Sequence, residues 1–310
     1  MHRDIKKIIG DIKSLKIQGA RNVAKAAVNG LAIAAKKSKT KTAQAFSHEM
    51  RDVANALATS RPTEPMMRNM LDEGLYFIEQ AIKSKKTTKS SLVKLLVNHE
   101  KQMINKMELD AKRLAQYGAK LIPDDALVLT YCHSSTTTRI LIEAKRMRKK
   151  FSVVAFETRP RFQGRITAAE LAKAGIDVTL TVDGAMYLFM KKADIVIVGA
   201  DSITSRGDLI NKIGTATIAH IAKMNDVSFY SAAELSKYSA MTIFGTREKI
   251  EERNSKEVWE KPPKGVTIRN PAFEATAAKY INGYITEIGV IPPQSFFTMA
   301  TNKLGIKLYE

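Results

Sequence analysis

From residue 126 onward, short apolar runs alternate with stretches of helical spacing, and no other feature limits the fold as strongly. The runs ALVLTY (126–131), FSVVAF (151–156), DVTLTV (177–182), DIVIVG (194–199) and VSFYSA (227–232) have the length and branched content of buried strands. Between them, 136–149, 167–174, 184–192 and 214–224 read as helices. Such alternation implies a mostly parallel sheet with helices on its faces. YINGYITEIG adds a further candidate strand, and KPPKG (261–265) reads as a loop.

The first 120 residues read differently. Ile5, Ile8, Ile9 and Ile12 recur at helical spacing, as do Phe46, Met50, Val53 and Leu57, then Leu96, Met103, Met107 and Leu114. Pro62 and Pro65, around Thr63 and Glu64, mark a break and a new helix start. Gly118, with Pro123 behind it, is the expected stop of the last helix. The fold class is therefore α/β, with a helical domain over 1–120 and a sheet-containing domain over 121–310.

Charge bounds the partners. The 310 residues hold 50 Lys and Arg against 31 Asp and Glu, a net charge of +19, which favours anionic partners. Basic clusters lie at Lys36–Lys41, Lys83–Lys89 and Lys145–Lys150. Aromatic residues are only 7% and none interleave with these clusters, so stacking on single-stranded RNA is not expected. Cys132 is the single cysteine, which excludes a disulfide framework. With five scattered histidines it also argues against a structural zinc cluster. No apolar run reaches the ~20 residues of a membrane span. A reduced, cytoplasmic chain is the expectation. Neither G-x-G-x-x-G nor a Walker-type loop follows the first strand, so no nucleotide cofactor and no metal is expected.

Parallel sheets bind ligands at the carboxyl ends of their strands. There the sequence puts Cys132, Glu157, Asp183, Asp201 and Glu234, with Lys237 behind the last. Each also fits a structural role. Cys132 could fill a core, Asp201 could cap a loop and Asp183 a helix, and Glu157 could pair with Arg159. In INKIGT (210–215), Lys212 supplies charge and Gly214 opens a helical pattern whose amides could bind phosphate. Arg61 sits at one helix break, and Gly19 and Arg21 at another.

ETRPRFQG, VDGAM, GADSIT, INKIGT, IRNPAFEAT and ITEIGVIPP occur in the order of one superfamily. The chain resembles that superfamily over nearly its whole length, most strongly from 126 to 292. It comprises the alpha, beta and delta regulatory subunits of translation initiation factor two-B, methylthioribose-1-phosphate isomerase and archaeal ribose-1,5-bisphosphate isomerase. The resemblance implies a helical N-terminal domain followed by a Rossmann-like one.

The isomerase branch implies Cys132 as proton acceptor and Asp201 as proton donor. It implies substrate contacts from Ser134, Ser135, Glu157, Asn211 and Lys212, a phosphate on Lys237, and Arg61 facing the same site. Gln18 stands where the isomerases carry an arginine before Gly19, and Arg21 is the candidate substitute from the next turn. CHSS is nearest to the ribose-1,5-bisphosphate isomerase pattern, with His133 replacing an asparagine. The implied partners are a sugar phosphorylated at its first carbon and copies of the same chain, as dimers or hexamers built from dimers. The regulatory branch, which generally lacks the Cys–Asp pair, implies instead a non-catalytic subunit that binds an initiation factor or senses a sugar phosphate or nucleotide. Direct RNA association rests on charge alone.

Overall fold

Helical spacing in the first third of the chain produces α1 (Arg3–Lys13), α2 (Ala20–Lys37), α3 (Ala43–Ala58), α4 (Pro65–Lys83) and α5 (Lys89–Leu121). The computed structural model describes residues 1–84 and 87–305. Lys85 and Lys86 of the basic cluster at 83–89 lie outside the described residues. Local chemistry sets the helix starts. Thr42 accepts the Ala45 amide ahead of α3, and Pro65 occupies the first turn of α4, where no amide partner is needed. Gly19, at φ +81°, turns the chain into α2. One apolar cluster joins these helices, including Ile5, Leu31, Phe46, Met50, Leu57, Leu96 and Met103. It belongs to a unit formed by Met1–Leu109 with Leu304 and Gly305.

The second unit is Asp110–Lys303. Its strands β1 (Ala126–Tyr131), β2 (Phe151–Phe156), β3 (Asp177–Thr181) and β4 (Ile195–Val198) alternate with α6 (Ser135–Arg146), α7 (Gln163–Lys173) and the short α8 (Met186–Met190). Two short strands follow, β5 (Ser202–Ile203) and β6 (Leu209–Lys212). Then come α9 (Thr215–Met224), β7 (Ser228–Ala232), β8 (Phe273–Thr276), β9 (Gly283–Thr286), β10 (Gly289–Ile291) and α10 (Phe296–Leu304). The seven-stranded sheet runs β10-β9-β7-β4-β1-β2-β3. Its pairs are parallel except β9 with β10, which are antiparallel. YINGYITEIG thus makes a parallel strand and begins an antiparallel edge. Val128, Val153, Ile195 and Ile197 of the sheet pack with Ile140, Leu141 and Leu171 of the helices.

Two features depart from the sequence reading. Gly118 does not end α5, which continues to Leu121. The glycine serves packing: a Cβ there would come within 2.7 Å of the Ile140 side chain. A second, antiparallel sheet, β5-β6-β8, is also present. Strands of two to four residues are too short to show periodicity. Among the described residues no helix is long and apolar enough to cross a membrane.

Candidate functional site

The carboxyl ends of β1 and β4 carry the two central groups. Cys132 leaves β1 with a left-handed backbone, φ +66°. Its amide donates to Thr158 Oγ1 (3.0 Å), and its carbonyl accepts from Thr167 Oγ1 (2.9 Å). His133 Nδ1 lies 3.1 Å from the same Thr167 oxygen. Ser134 then caps α6, its hydroxyl accepting the Thr137 amide, and Ser135 is exposed in the first turn. The strained turn is therefore held by threonines from two neighbouring segments.

Gly199, Ala200 and Asp201 follow β4. The Gly199 carbonyl accepts Ser231 Oγ (2.9 Å), the Ala200 carbonyl accepts Lys237 Nζ (2.6 Å), and the Asp201 amide donates to the Ile210 carbonyl (3.0 Å). Three anchors thus fix the backbone under Asp201. This turn abuts the first one, because a Cβ on Gly199 would fall 2.6 Å from the Ser134 side chain. Lys237 is buried, with Glu234 at 3.8 Å. Its observed role is to hold the Asp201 turn.

Electrostatics joins these groups. Burial pushes the Cys132 thiol up to about 12. The His133 backbone amide counters this, the Asp201 carboxylate adds to it, and Lys212 and Arg253 oppose it. At neutral pH the sulfur therefore carries its proton. Desolvation of the thiolate outweighs the two cations. Lys212, on β6, is only 4% exposed. Burial lowers its ammonium pKa, and Cys132 raises it. Its Nζ has no hydrogen-bond partner among the described residues. Asn211, beside it, donates to Thr215 Oγ1 (3.1 Å).

Other candidates are already engaged. The start of α9 is not open to phosphate, because the amides of Gly214 (2.6 Å) and Ala216 (2.9 Å) both donate to Glu274 Oε1. A resident carboxylate meets the positive helix end instead. Glu157 pairs with Arg165 (3.0 Å), not with Arg159, whose guanidinium reaches the Val258 carbonyl. Asp183 caps no helix; it accepts the amides of Thr158 (2.8 Å) and Arg159 (2.7 Å) and so shapes the loop after β2.

Gly19, Arg21 and Arg61 belong to the N-terminal unit. Arg21, the candidate substitute phosphate contact, is engaged within its own unit. Both terminal nitrogens donate to the Met107 carbonyl (3.2 Å each), and Glu108 lies at 3.3 Å. Arg61 differs. It is 8% exposed, with Glu64 3.4 Å from its Nε, yet its buried Nε and Nη1 make no hydrogen bond among the described residues.

Within the second unit the structure thus brings together Cys132, Ser134, Asp201, Lys212 and Lys237. It adds Thr158, Thr167, Glu274 and Arg253, none of which the sequence reading singled out. Arg253 comes from a long connection without regular strands, where only its charge could have signalled it. Among the described residues no group of three or more His, Cys, Asp or Glu side chains is placed to hold a metal ion.

Ribose 1,5-bisphosphate isomerase of Archaeoglobus fulgidus is 38% identical to the chain over 296 residues, covering 95% of this chain and 91% of that protein. Methylthioribose-1-phosphate isomerase of Geobacter sulfurreducens is 34% identical over 307 residues, covering 94% and 88%. The crystal structure of translation initiation factor eIF-2B from Pyrococcus horikoshii OT3 superimposes with a TM-score of 0.79 at 28% identity, covering 94% of this chain and 98% of that one. The model of the Initiation factor 2 subunit family matches residues 16–293. With that match, and relatives this similar over nearly their full length, the chain belongs to the Initiation factor 2 subunit family.

Proposed function

We propose that the protein is an aldose–ketose isomerase that converts ribose 1,5-bisphosphate to ribulose 1,5-bisphosphate, with Cys132 and Asp201 as its acid–base pair. The observation that carries this reading is the juxtaposition of their two turns, with each residue in the other's field and beside them a Lys212 whose ammonium has no hydrogen-bond partner among the described residues. Four relatives named ribose 1,5-bisphosphate isomerase, at 36–39% identity, support the substrate.

The 1-phosphate blocks spontaneous ring opening, so the ring oxygen needs an acid. The pair supplies it if one proton is shared between sulfur and carboxylate, as coupled groups do. In the working form that proton sits on Asp201 and the sulfur is a thiolate. Asp201 protonates the ring oxygen as its bond to C1 breaks. Cys132 takes the proton from C2, leaving a C1–C2 enol. The C2 hydroxyl then returns a proton to Asp201, while Cys132 delivers its proton to C1. The ketose forms and both groups are restored. Lys212 and Lys237 are the candidate phosphate contacts, and Asn211 the candidate for a sugar hydroxyl.

The test is to incubate the protein with α-ribose 1,5-bisphosphate and follow ribulose 1,5-bisphosphate. Cys132→Ser and Asp201→Asn are each expected to lose about 100- to 10,000-fold in kcat while still binding the sugar. Turnover that survives both substitutions excludes the pair. A second reading, a non-catalytic regulatory subunit, is favoured by the likeness to eIF-2B; binding without turnover in the unmodified protein would select it. We also infer self-association, which light scattering checks directly.

A further inference from the structure

Arg253 lies in the connection between β7 and β8, next to the segment that leads into the sheet β5-β6-β8. The Arg253 amide donates to the Asn270 carbonyl (2.9 Å), and the Ala272 amide donates to the Glu251 carbonyl (2.8 Å). Glu252 and Pro271 form an antiparallel bridge between them. Residues 251–253 thus lie beside 270–272, immediately before β8. The Arg253 guanidinium stands 5.8 Å from the centre of the Phe273 ring. Phe273 is the direct cross-strand neighbour of Lys212. This register carries the arginine to Lys212, on the edge that faces Cys132.

The side chain of Arg253 is only 9% exposed, and its Nε donates to Glu251 Oε1 at 3.2 Å. Its two terminal nitrogens make no hydrogen bond among the described residues. Neither terminal nitrogen is fully buried, so both stay within reach of an anion, to which a guanidinium makes charge-assisted bonds. The planar fork suits two oxygens of a phosphate, where an ammonium offers only a point charge. Nε is fixed by Glu251 and one face is covered by Phe273, so the fork is already oriented. Other straps hold the connection: Arg161 pairs with Glu257 (3.1 Å), Arg159 reaches the Val258 carbonyl (3.0 Å), and Arg269 pairs with Glu252 (3.0 Å).

We propose that Arg253 is a substrate-binding residue whose free fork takes a phosphate oxyanion of the sugar beside Lys212. The inference rests on the isomerase reading for the identity of its ligand. The segment that carries Arg253 is therefore part of the binding site.

Calorimetry with ribose 1,5-bisphosphate separates this inference from the parent reading, because it needs no turnover. Cys132→Ser is the background, compared with Cys132→Ser carrying Arg253→Gln or Arg253→Lys. The dissociation constant is expected to rise at least tenfold for Arg253→Gln and less for Arg253→Lys. In otherwise unmodified protein, Arg253→Ala should raise KM, and millimolar guanidinium should restore part of the lost kcat/KM. Circular dichroism and a thermal melt on each variant identify loss of fold, and the guanidinium rescue needs a folded site. Equal dissociation constants with and without Arg253 in folded protein overturn the proposal, even if the unmodified enzyme isomerises the sugar. Absent turnover with weakened binding in Arg253→Gln overturns only the isomerase reading and sustains Arg253 as an anion ligand.

Discussion

Cys132 shows how one residue is set by forces of opposite sign. Burial and the Asp201 charge hold its proton on, while the His133 amide, Lys212 and Arg253 pull it off. Each force has a separable consequence for alkylation, because only the thiolate reacts. The iodoacetamide rate should climb through the alkaline range with no plateau near pH 9, as a thiol pushed up to about 12 requires. Asp201→Asn removes the opposing charge and should speed alkylation at pH 9. Lys212→Met removes a supporting charge and should slow it. An Asp201→Asn rate equal to that of the unmodified protein would show that the two groups do not share a field. Cys132 and Asp201 were legible in the sequence because each ends a strand whose apolar run is unmistakable. Arg253 was not, since no periodicity marks the connection that bears it.

At the scale of elements, the site depends on close approaches that only small or charged residues permit. The start of α9 is one. Gly214 has φ +100°, and a Cβ there would fall 2.3 Å from the Tyr131 hydroxyl, which itself donates to the Ile213 carbonyl. Glu274, on β8, takes the two first-turn amides of α9. Glu274→Gln weakens charge-assisted bonds and should cost about 1–3 kcal/mol, read as a lower urea midpoint at unchanged slope. Gly118→Ala should cost about 1–3 kcal/mol by overpacking against Ile140. Residue spacing predicted a start at 214 and a stop at 118. The contacts make the first a carboxylate-capped junction and the second a packing contact.

At the scale of the whole molecule, a buried acid sets a pH dependence that has nothing to do with catalysis. Glu100, on α5 in the N-terminal unit, is 2% exposed, and neither carboxyl oxygen has a hydrogen-bond partner among the described residues. Burial pushes its pKa up to about 9, with only Lys36 opposing. The folded protein therefore holds this proton more tightly than the unfolded chain. That contribution is fully present below the ordinary carboxyl range and is lost as pH rises through about 9. Between those limits the group lowers unfolding free energy by about 1.4 kcal/mol per pH unit. Denaturant titrations at pH 5, 7 and 9 should show the fall, and Glu100→Gln should flatten it. An equal slope in both proteins would assign the effect elsewhere.

The sequence by itself determined the helical first part, five parallel strands with their interleaved helices, and the polar residues at the strand ends. All of these follow from apolar periodicity, a local signal that survives without knowledge of partners. Tertiary structure alone decided the rest. It recruited β5, β6 and β8, too short for any local signature, into a sheet that presents Asn211 and Lys212. It committed Arg21 to the Met107 carbonyl and left Arg253 with an open fork. It also set the proton on Cys132, because desolvation and the distance to another charge are properties of the packed chain and not of neighbours in sequence.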